Sequence, residues 1–277
     1  MFELPLDKPA LMGIVNVTPD SFSEKGLNYK AMDAIEAGIR MMDEGADLLD
    51  IGGESTRPGA LHVPVPNELG RVMPVIEALA KRGIPLSIDT RKAAVAKQAL
   101  EAGASIVNDV TALADPEMAA VCAEAGATIC LMHMQGAPNT MQANPTYDDV
   151  VGEVLAFLLE RAAVAKNAGI ADNQIWLDPG IGFGKTPAHN VALLNNLARF
   201  VATAYPVLIG VSRKSSIGAY AGGVPVDQRL PGSLAAQTLA QASGVRIIRA
   251  HDVKEARQAI DVAAAILKPF SFSTHPA

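Results

Sequence analysis

The chain has 277 residues, of which 49% are hydrophobic and 19% charged, and its formal net charge is −6. That length fits one barrel domain or two smaller domains and can bury a large core without disulfides, which excludes a wholly disordered chain. The acidic balance argues against nucleic acid as a main partner, since phosphate binding relies on positive surface, while a local cationic pocket for a small anion stays compatible with it. The opening MFELPLDKPALMG lacks a basic region followed by a long apolar one, so no signal peptide is expected. No stretch approaches the roughly 20 apolar residues of a membrane span. Cys122 and Cys130 sit in apolar surroundings without CxxC spacing and read as small core residues in a reducing cytoplasm.

Eight apolar runs follow one another along the chain, each ending in a polar residue. Run 11–15 ends at Asn16, and a helical pattern over 29–44 leads to Gly45. Run 46–49 ends at Asp50, followed by a helix over 67–81 and Gly83. Run 85–88 ends at Asp89, before a helix over 91–102 and Gly103. Run 105–107 ends at Asn108 and Asp109, before a helix over 115–125 and Gly126. Run 128–132 reaches His133, and a longer helix over 147–168 stops at Gly169. Run 175–177 ends at Asp178, before a helix over 188–203. Run 206–211 ends at Ser212, before a helix over 233–242 and Gly244. Run 246–248 ends at Arg249 and His251, before a helix over 252–267. Glycines after the helices sit where C-caps need a left-handed residue.

Strand–helix alternation with crossovers of this length means parallel pairing. Eight units close an α/β fold of the eightfold (β/α) TIM-barrel type, as a single domain over 1–277. Doubly wound sheets also alternate, but usually with fewer strands and one ligand site at a switch point. Barrel enzymes place their chemistry at the C-terminal strand ends, where the polar ends of all eight runs fall. Two long loops, at about 17–29 and 52–66, are candidate lids. The tail 268–277 reads as frayed.

Several motif look-alikes fail. GIGFGKT at 180–186 leaves three residues between its first and last glycines, where a P-loop needs four, and has Lys185 where a dinucleotide fingerprint needs glycine. GVSRK at 210–214 ends in lysine where a nucleophile elbow needs glycine. No HExxH or paired-cysteine zinc spacing occurs.

Asp89 and Asp178 end apolar strands, so an ionised carboxylate there needs donors, from an ion pair in the barrel mouth or from a ligand's N–H edge. Such charge-assisted hydrogen bonds contribute about 1.5–3 kcal/mol each. Asn108 can donate and accept on the same edge. Two acids and an amide suit a heterocycle rich in amino and imino groups. Lys214 follows the seventh strand, and Arg249 and His251 follow the eighth, where barrels commonly bind phosphate. Arg57, on the second long loop, could close over the same anion. His133 reads equally well as a packed, hydrogen-bonded core histidine. Asn16 offers a carboxamide oxygen suited to a hard cation, or to stabilising a turn.

These residues lie in the strings NVTPDSFS (16–23), DIGGESTRPGA (50–60), SIDTRK (87–92), IVNDV (106–110), LMHMQGAPNTMQ (131–142), LDPGIGFGKT (177–186), GVSRKSSIG (210–218) and IIRAHDV (247–253). In this order and spread, the set closely resembles the dihydropteroate synthases. The resemblance implies the same barrel, usually a homodimer. It implies a transferase of folate biosynthesis that joins 4-aminobenzoate to 7,8-dihydropterin-6-ylmethyl diphosphate and releases diphosphate. By that resemblance Asp89, Asn108, Asp178 and Lys214 hold the pterin, with Met132 and Phe183 packed near it. Arg57, Arg249 and His251 hold the diphosphate, with Ser55 and Thr56 nearby, and Asn16 coordinates magnesium. Phe22, Pro58, Phe183, Ser212 and Ser215 frame the 4-aminobenzoate pocket. Sulfonamides are expected competitors there, and Phe22, Thr56 and Pro58 have the form of a sensitive protein. Two segments depart from the family pattern, SEKG at 23–26 and HVPVPNEL at 62–69; stiffer loops and altered closure are expected from them.

The bond to break joins a methylene to a diphosphate oxygen. The pterin can delocalise the positive charge left behind, so a loose, cation-like transition state is expected, with Asp20 on loop one as its electrostatic support and Arg57 and Lys214 as the other catalytic groups. The aromatic amine is neutral near pH 7 and needs no strong base, which accounts for the missing nucleophile–His–acid set. A non-catalytic pterin-binding paralogue is the alternative, but intact TPDSF and STRPG loops speak against it. A pterin-dependent methyltransferase is the other, and the SRKS and RAHDV strings discriminate against that.

Overall fold

The structure is a computed structural model that describes residues 2–18, 27–56, 59–137, 139–203 and 205–267. Asp20, Phe22, Arg57, Pro58, the SEKG segment and the tail 268–277 lie outside the described residues.

Eight parallel strands run in chain order: β1 Ala10–Asn16, β2 Leu48–Gly52, β3 Leu86–Asp89, β4 Ile106–Asp109, β5 Thr128–Met132, β6 Ile175–Asp178, β7 Leu208–Gly210 and β8 Ile247–Ala250. They form one sheet of order β6-β5-β4-β3-β2-β1-β8-β7. Its two ends meet in a parallel bridge between Leu177 and Val207, reinforced by Leu177 N donating to Pro206 O at 2.9 Å. The sheet thus closes as the expected barrel, with helices outside. Among the described residues no helix is long and apolar enough to cross a membrane.

Two-residue alternation sorts each strand into an inner and an outer face. The outer residues, such as Leu11, Leu49, Ile88, Val107 and Ile129, pack against the helices. The inner ones fill the barrel in layers. Leu48, Ile106, Trp176 and Ile247, one from each even-numbered strand, form an apolar layer with Met12, Cys130 and Leu208. Phe2 and Leu4 pack against its base, and the Phe2 ring meets Trp176 edge-on at 6.4 Å. Two residues further along the same strands stand Asp50, Asn108, Asp178 and Arg249. A dry plug therefore carries a polar layer, and the polar layer is the floor of the mouth.

The helices are α1 Leu27–Asp43, α2 Val65–Ala80, α3 Ala93–Glu101, α4 Met118–Ala125, α5 Val150–Asn167, α6 Pro187–Asn195, α7 Leu197–Val201, α8 Ser215–Tyr220, α9 Leu230–Ala242 and α10 Val253–Leu267. Their glycine stops behave as expected: Gly45, Gly83, Gly103, Gly126, Gly169 and Gly244 all have positive φ. Four boundaries differ from the sequence reading. The second strand runs two residues past Asp50, because Asp50 points into the barrel rather than ending the strand. The expected helix over 188–203 breaks at Asn196, whose amide turns back to Ala192 O at 2.8 Å. The SRKSS turn leads directly into the extra helix α8. The prolines of HVPVPNEL fall at a helix start: Pro64 caps α2 and Pro66 lies in its first turn, where a missing N–H costs little.

Candidate active site

The floor of the mouth is an ion-paired ring. Arg249 Nε donates to Asp50 Oδ2 at 2.6 Å, and its Nη2 donates to Asp89 Oδ2 at 2.8 Å. Asn108 Nδ2 donates to the same Asp50 oxygen at 2.9 Å. Strand register sets this up, since Asp89 lies beside Asn108 and Met132 beside Asp178. Burial pushes the Asp89 carboxyl up to about 7 against the pull of Arg249, with Asp50 adding like charge. Burial opposes the charge on Arg249, but its two carboxylates outweigh that and raise its pKa.

Across the mouth stands the second acid. Asp178 Oδ1 accepts from Gly180 N at 2.7 Å. Burial raises its pKa, and Lys214 is the main opposing charge. Lys214 is itself lowered to about 8, chiefly by burial. Its ammonium donates to the Ile181 carbonyl and lies 4.6 Å from the centre of the Phe183 ring. Arg213, just before it, adopts a left-handed backbone with φ 58°. Its guanidinium is bound by both Asp252 oxygens, and its N–H donates to Ser233 Oγ at 3.0 Å. These contacts hold the turn that sends Lys214 inward.

Asp89, Asn108, Met132, Asp178, Phe183, Lys214 and Arg249 thus meet in one mouth. Ser212 and His251, assigned to different ligands, are bonded to each other: Ser212 Oγ lies 3.1 Å from His251 Nδ1 and accepts from His251 N at 3.2 Å. Ser215 is exposed at the start of α8. Ser55 and Thr56 are half-buried at the foot of loop two. Asn16 is exposed at the open end of β1, and a Cβ on neighbouring Gly52 would lie 3.8 Å from its Oδ1 and 3.6 Å from Asp89 Oδ2. Asp109, although next to Asn108, turns out of the mouth and accepts from Thr111 N, Thr111 Oγ1 and Leu113 N. His133 is 7% exposed and lowered to about 3 by burial, so it is the neutral, packed histidine of the two readings.

Two groups of residues escaped the sequence reading. Asp50 is fully buried and central to the ring, but only its inward register reveals this. The other group ties loop two to β3 and α2. Glu54 accepts from Val63 N at 3.0 Å, Arg91 Nη2 at 3.1 Å and Lys92 Nζ at 2.6 Å. Lys92 also pairs with the fully buried Glu68, which accepts from Thr90 Oγ1 at 2.7 Å. Burial works against ionisation of Glu54, but these donors prevail and hold it near 2, below the usual 4.5. Its contribution to stability is therefore complete above pH 4.5 and is lost as pH falls toward 2. Glu54→Gln is expected to cost about 1–3 kcal/mol at neutral pH, since its partner Arg91 is partly solvated, and to flatten the acid limb of urea-unfolding stability. An unchanged acid limb would remove Glu54 as the anchor of the loop.

A closed β/α barrel with buried acids, an amide and cations at its C-terminal mouth has the architecture of a barrel enzyme with a polar ligand site. A family model described as pterin binding enzyme matches residues 12–251. The dihydropteroate synthase of Escherichia coli is 48% identical over 265 residues, covering 95% of this chain and 94% of that protein. The structure of Xanthomonas albilineans dihydropteroate synthase with 4-aminobenzoic acid superposes with a TM-score of 0.89 at 48% identity, covering 95% of each chain. That of Yersinia pestis dihydropteroate synthase in a sulfonamide drug complex gives 0.91 at 46% identity, covering 96% of this chain and 97% of the other. The chain belongs to the dihydropteroate synthase family.

Proposed function

We propose that this chain joins 4-aminobenzoate to 7,8-dihydropterin-6-ylmethyl diphosphate, releasing diphosphate and forming 7,8-dihydropteroate for folate synthesis. The observation that carries this reading is the convergence of Asp89, Asn108, Asp178 and Lys214 on one polar floor. The acids accept from the amino and imino hydrogens of the pterin, Asn108 donates and accepts beside them, and Lys214 donates to a ring acceptor. Met132 and Phe183 supply the apolar walls. Arg57, Arg249 and His251, with Ser55 and Thr56, take the diphosphate. Arg249 is already shared with Asp50 and Asp89, so it brings less than a free charge to the diphosphate.

In the reaction the methylene–oxygen bond breaks and diphosphate leaves with the electron pair. Positive charge grows on the pterin methylene, where Asp20 supports it. The neutral aromatic nitrogen attacks that carbon and loses its proton to solvent afterwards, so no positioned base is needed. Cations aimed at the departing oxygens stabilise the charge that develops there. Phe22, Pro58, Phe183, Ser212 and Ser215 frame the aminobenzoate.

Among the described residues no cluster of His, Cys, Asp or Glu could hold a metal. The exposed Asn16 oxygen therefore fits magnesium only together with diphosphate oxygens, as a cation that keeps few protein ligands would bind. When bound, the ion supplies charge neutralisation at the leaving group. The buried, unpaired thiols of Cys122 and Cys130 fit a reducing cytoplasm.

A sulfonamide is expected to raise the KM for 4-aminobenzoate and leave kcat unchanged in steady-state assays. Inhibition that extra 4-aminobenzoate does not relieve would contradict a shared pocket. The chain also assembles as a homodimer in this reading, through α9 and α10, where Leu239 is 69%, Val262 56% and Ile266 72% exposed. Sedimentation at twice the chain mass, lost in Leu239→Glu/Ile266→Glu, checks this; a monomer at micromolar concentration would refute it.

A further inference from the structure

Behind the mouth lies a lysine that the reaction leaves unused. Lys185 is 2% exposed. Its ammonium donates to Phe183 O at 2.9 Å and His133 O at 3.2 Å, and meets His133 Nδ1 at 2.9 Å. Since His133 is neutral, its Nδ1 can accept, and the three ammonium donors find three uncharged acceptors. Burial brings Lys185 down to about 7, with Asp178 opposing that effect.

The loop between β6 and α6 is built around this contact. Gly180 and Gly184 have φ of 69° and 59°. A Cβ on Gly180 would lie 1.9 Å from His133 O, and one on Gly184 2.5 Å from Gln135 O. The glycines of the false P-loop thus let two loops touch backbone to backbone. Tyr147 Oη donates to Gly184 O at 2.7 Å, Asn190 Oδ1 accepts from Gly182 N at 2.7 Å, and Gln142 Nε2 donates to Gly182 O at 2.7 Å. At Phe183 the tie to the other loop runs through Lys185, whose Nζ bonds both Phe183 O and His133 O.

We propose that Lys185 is a positioning residue for the pterin end of the site: it ties the Phe183 carbonyl to the His133 main chain and ring, and so fixes the Phe183 side chain against Lys214. Lysine is suited to this, because one Nζ reaches both carbonyls, and below pH 7 it does so as a charged donor, which is stronger than a neutral one. The proposal rests on the reading that Phe183 and Lys214 hold the pterin.

The test is a double-mutant cycle on binding of the pterin diphosphate, followed by calorimetry. Lys185→Met is expected to weaken binding about tenfold, the equivalent of one charge-assisted hydrogen bond. Its KM for the pterin should rise with kcat little changed. Combined with Phe183→Ala, it should add nothing to the loss from Phe183→Ala alone. Additive losses, or wild-type binding by Lys185→Met, would overturn the proposal. Lys214→Ala separates the two claims: if it binds normally, the pterin reading itself falls, and if it binds weakly while Lys185→Met does not, only the role of Lys185 falls. Lys185→Gln, which keeps a neutral donor in similar space, serves by the same criteria if the methionine variant does not fold.

Discussion

Replacing Asp178 by Asn is expected to lower affinity for the pterin diphosphate by roughly 10–150-fold, the equivalent of about 1.5–3 kcal/mol. Asp178 commits Oδ1 to the Gly180 N–H at 2.7 Å and leaves its other oxygen for the ligand. Asparagine keeps the shape but not the charge, and its amide can offer N–H where the pterin also offers N–H. Lys214 would at the same time lose the carboxylate that holds its ammonium charged against burial. Calorimetry of pterin binding measures the effect. Near wild-type affinity would mean that the acid serves only as an internal partner for Lys214.

The largest effect on stability is expected from Arg249→Met. It leaves fully buried Asp50 and nearly buried Asp89 facing each other without their cation. Breaking a buried pair from one side costs about 3–5 kcal/mol. At roughly 2–4 °C per kcal/mol for a chain of this size, the melting temperature should fall by about 6–20 °C. The pH sets the sign of the change. The Asp89 carboxyl is raised from 3.8 to about 7, so its favourable contribution is complete below pH 3.8 and is lost as pH rises through 7. Without Arg249 the penalty for ionising it grows, so the variant should lose more stability at pH 8 than at pH 5. Thermal melts at the two pH values decide this. A small loss, equal at both, would show that the ring is solvated.

The barrel was legible in the sequence because its signals are local. Short apolar runs, helical periods and glycine stops are all read within one stretch of chain, and they place the strand ends of Asn16, Asp89 and Asp178 correctly. What stayed hidden depends on contacts distant in sequence. Asp50 looks like a strand terminus, and its partner Arg249 stands 199 residues away on a strand that is adjacent to β1 only after the barrel closes. Lys185 sits in a string that resembles a phosphate loop, and its acceptors on His133 lie 52 residues earlier. Glu68 falls inside the expected helix, but its burial against Lys92, 24 residues away, depends on how α2 packs beside the end of β3. The family strings supplied ligand assignments for the mouth, but not the ion pairs and loop ties that set its charge.

Diphosphate release from the purified protein tests the account most directly. With magnesium and the pterin diphosphate present, release should depend on added 4-aminobenzoate, and dihydropteroate should form in equal amount. Tight binding of the pterin with no release in the presence of 4-aminobenzoate would contradict the account and leave a protein that holds a pterin without transferring it.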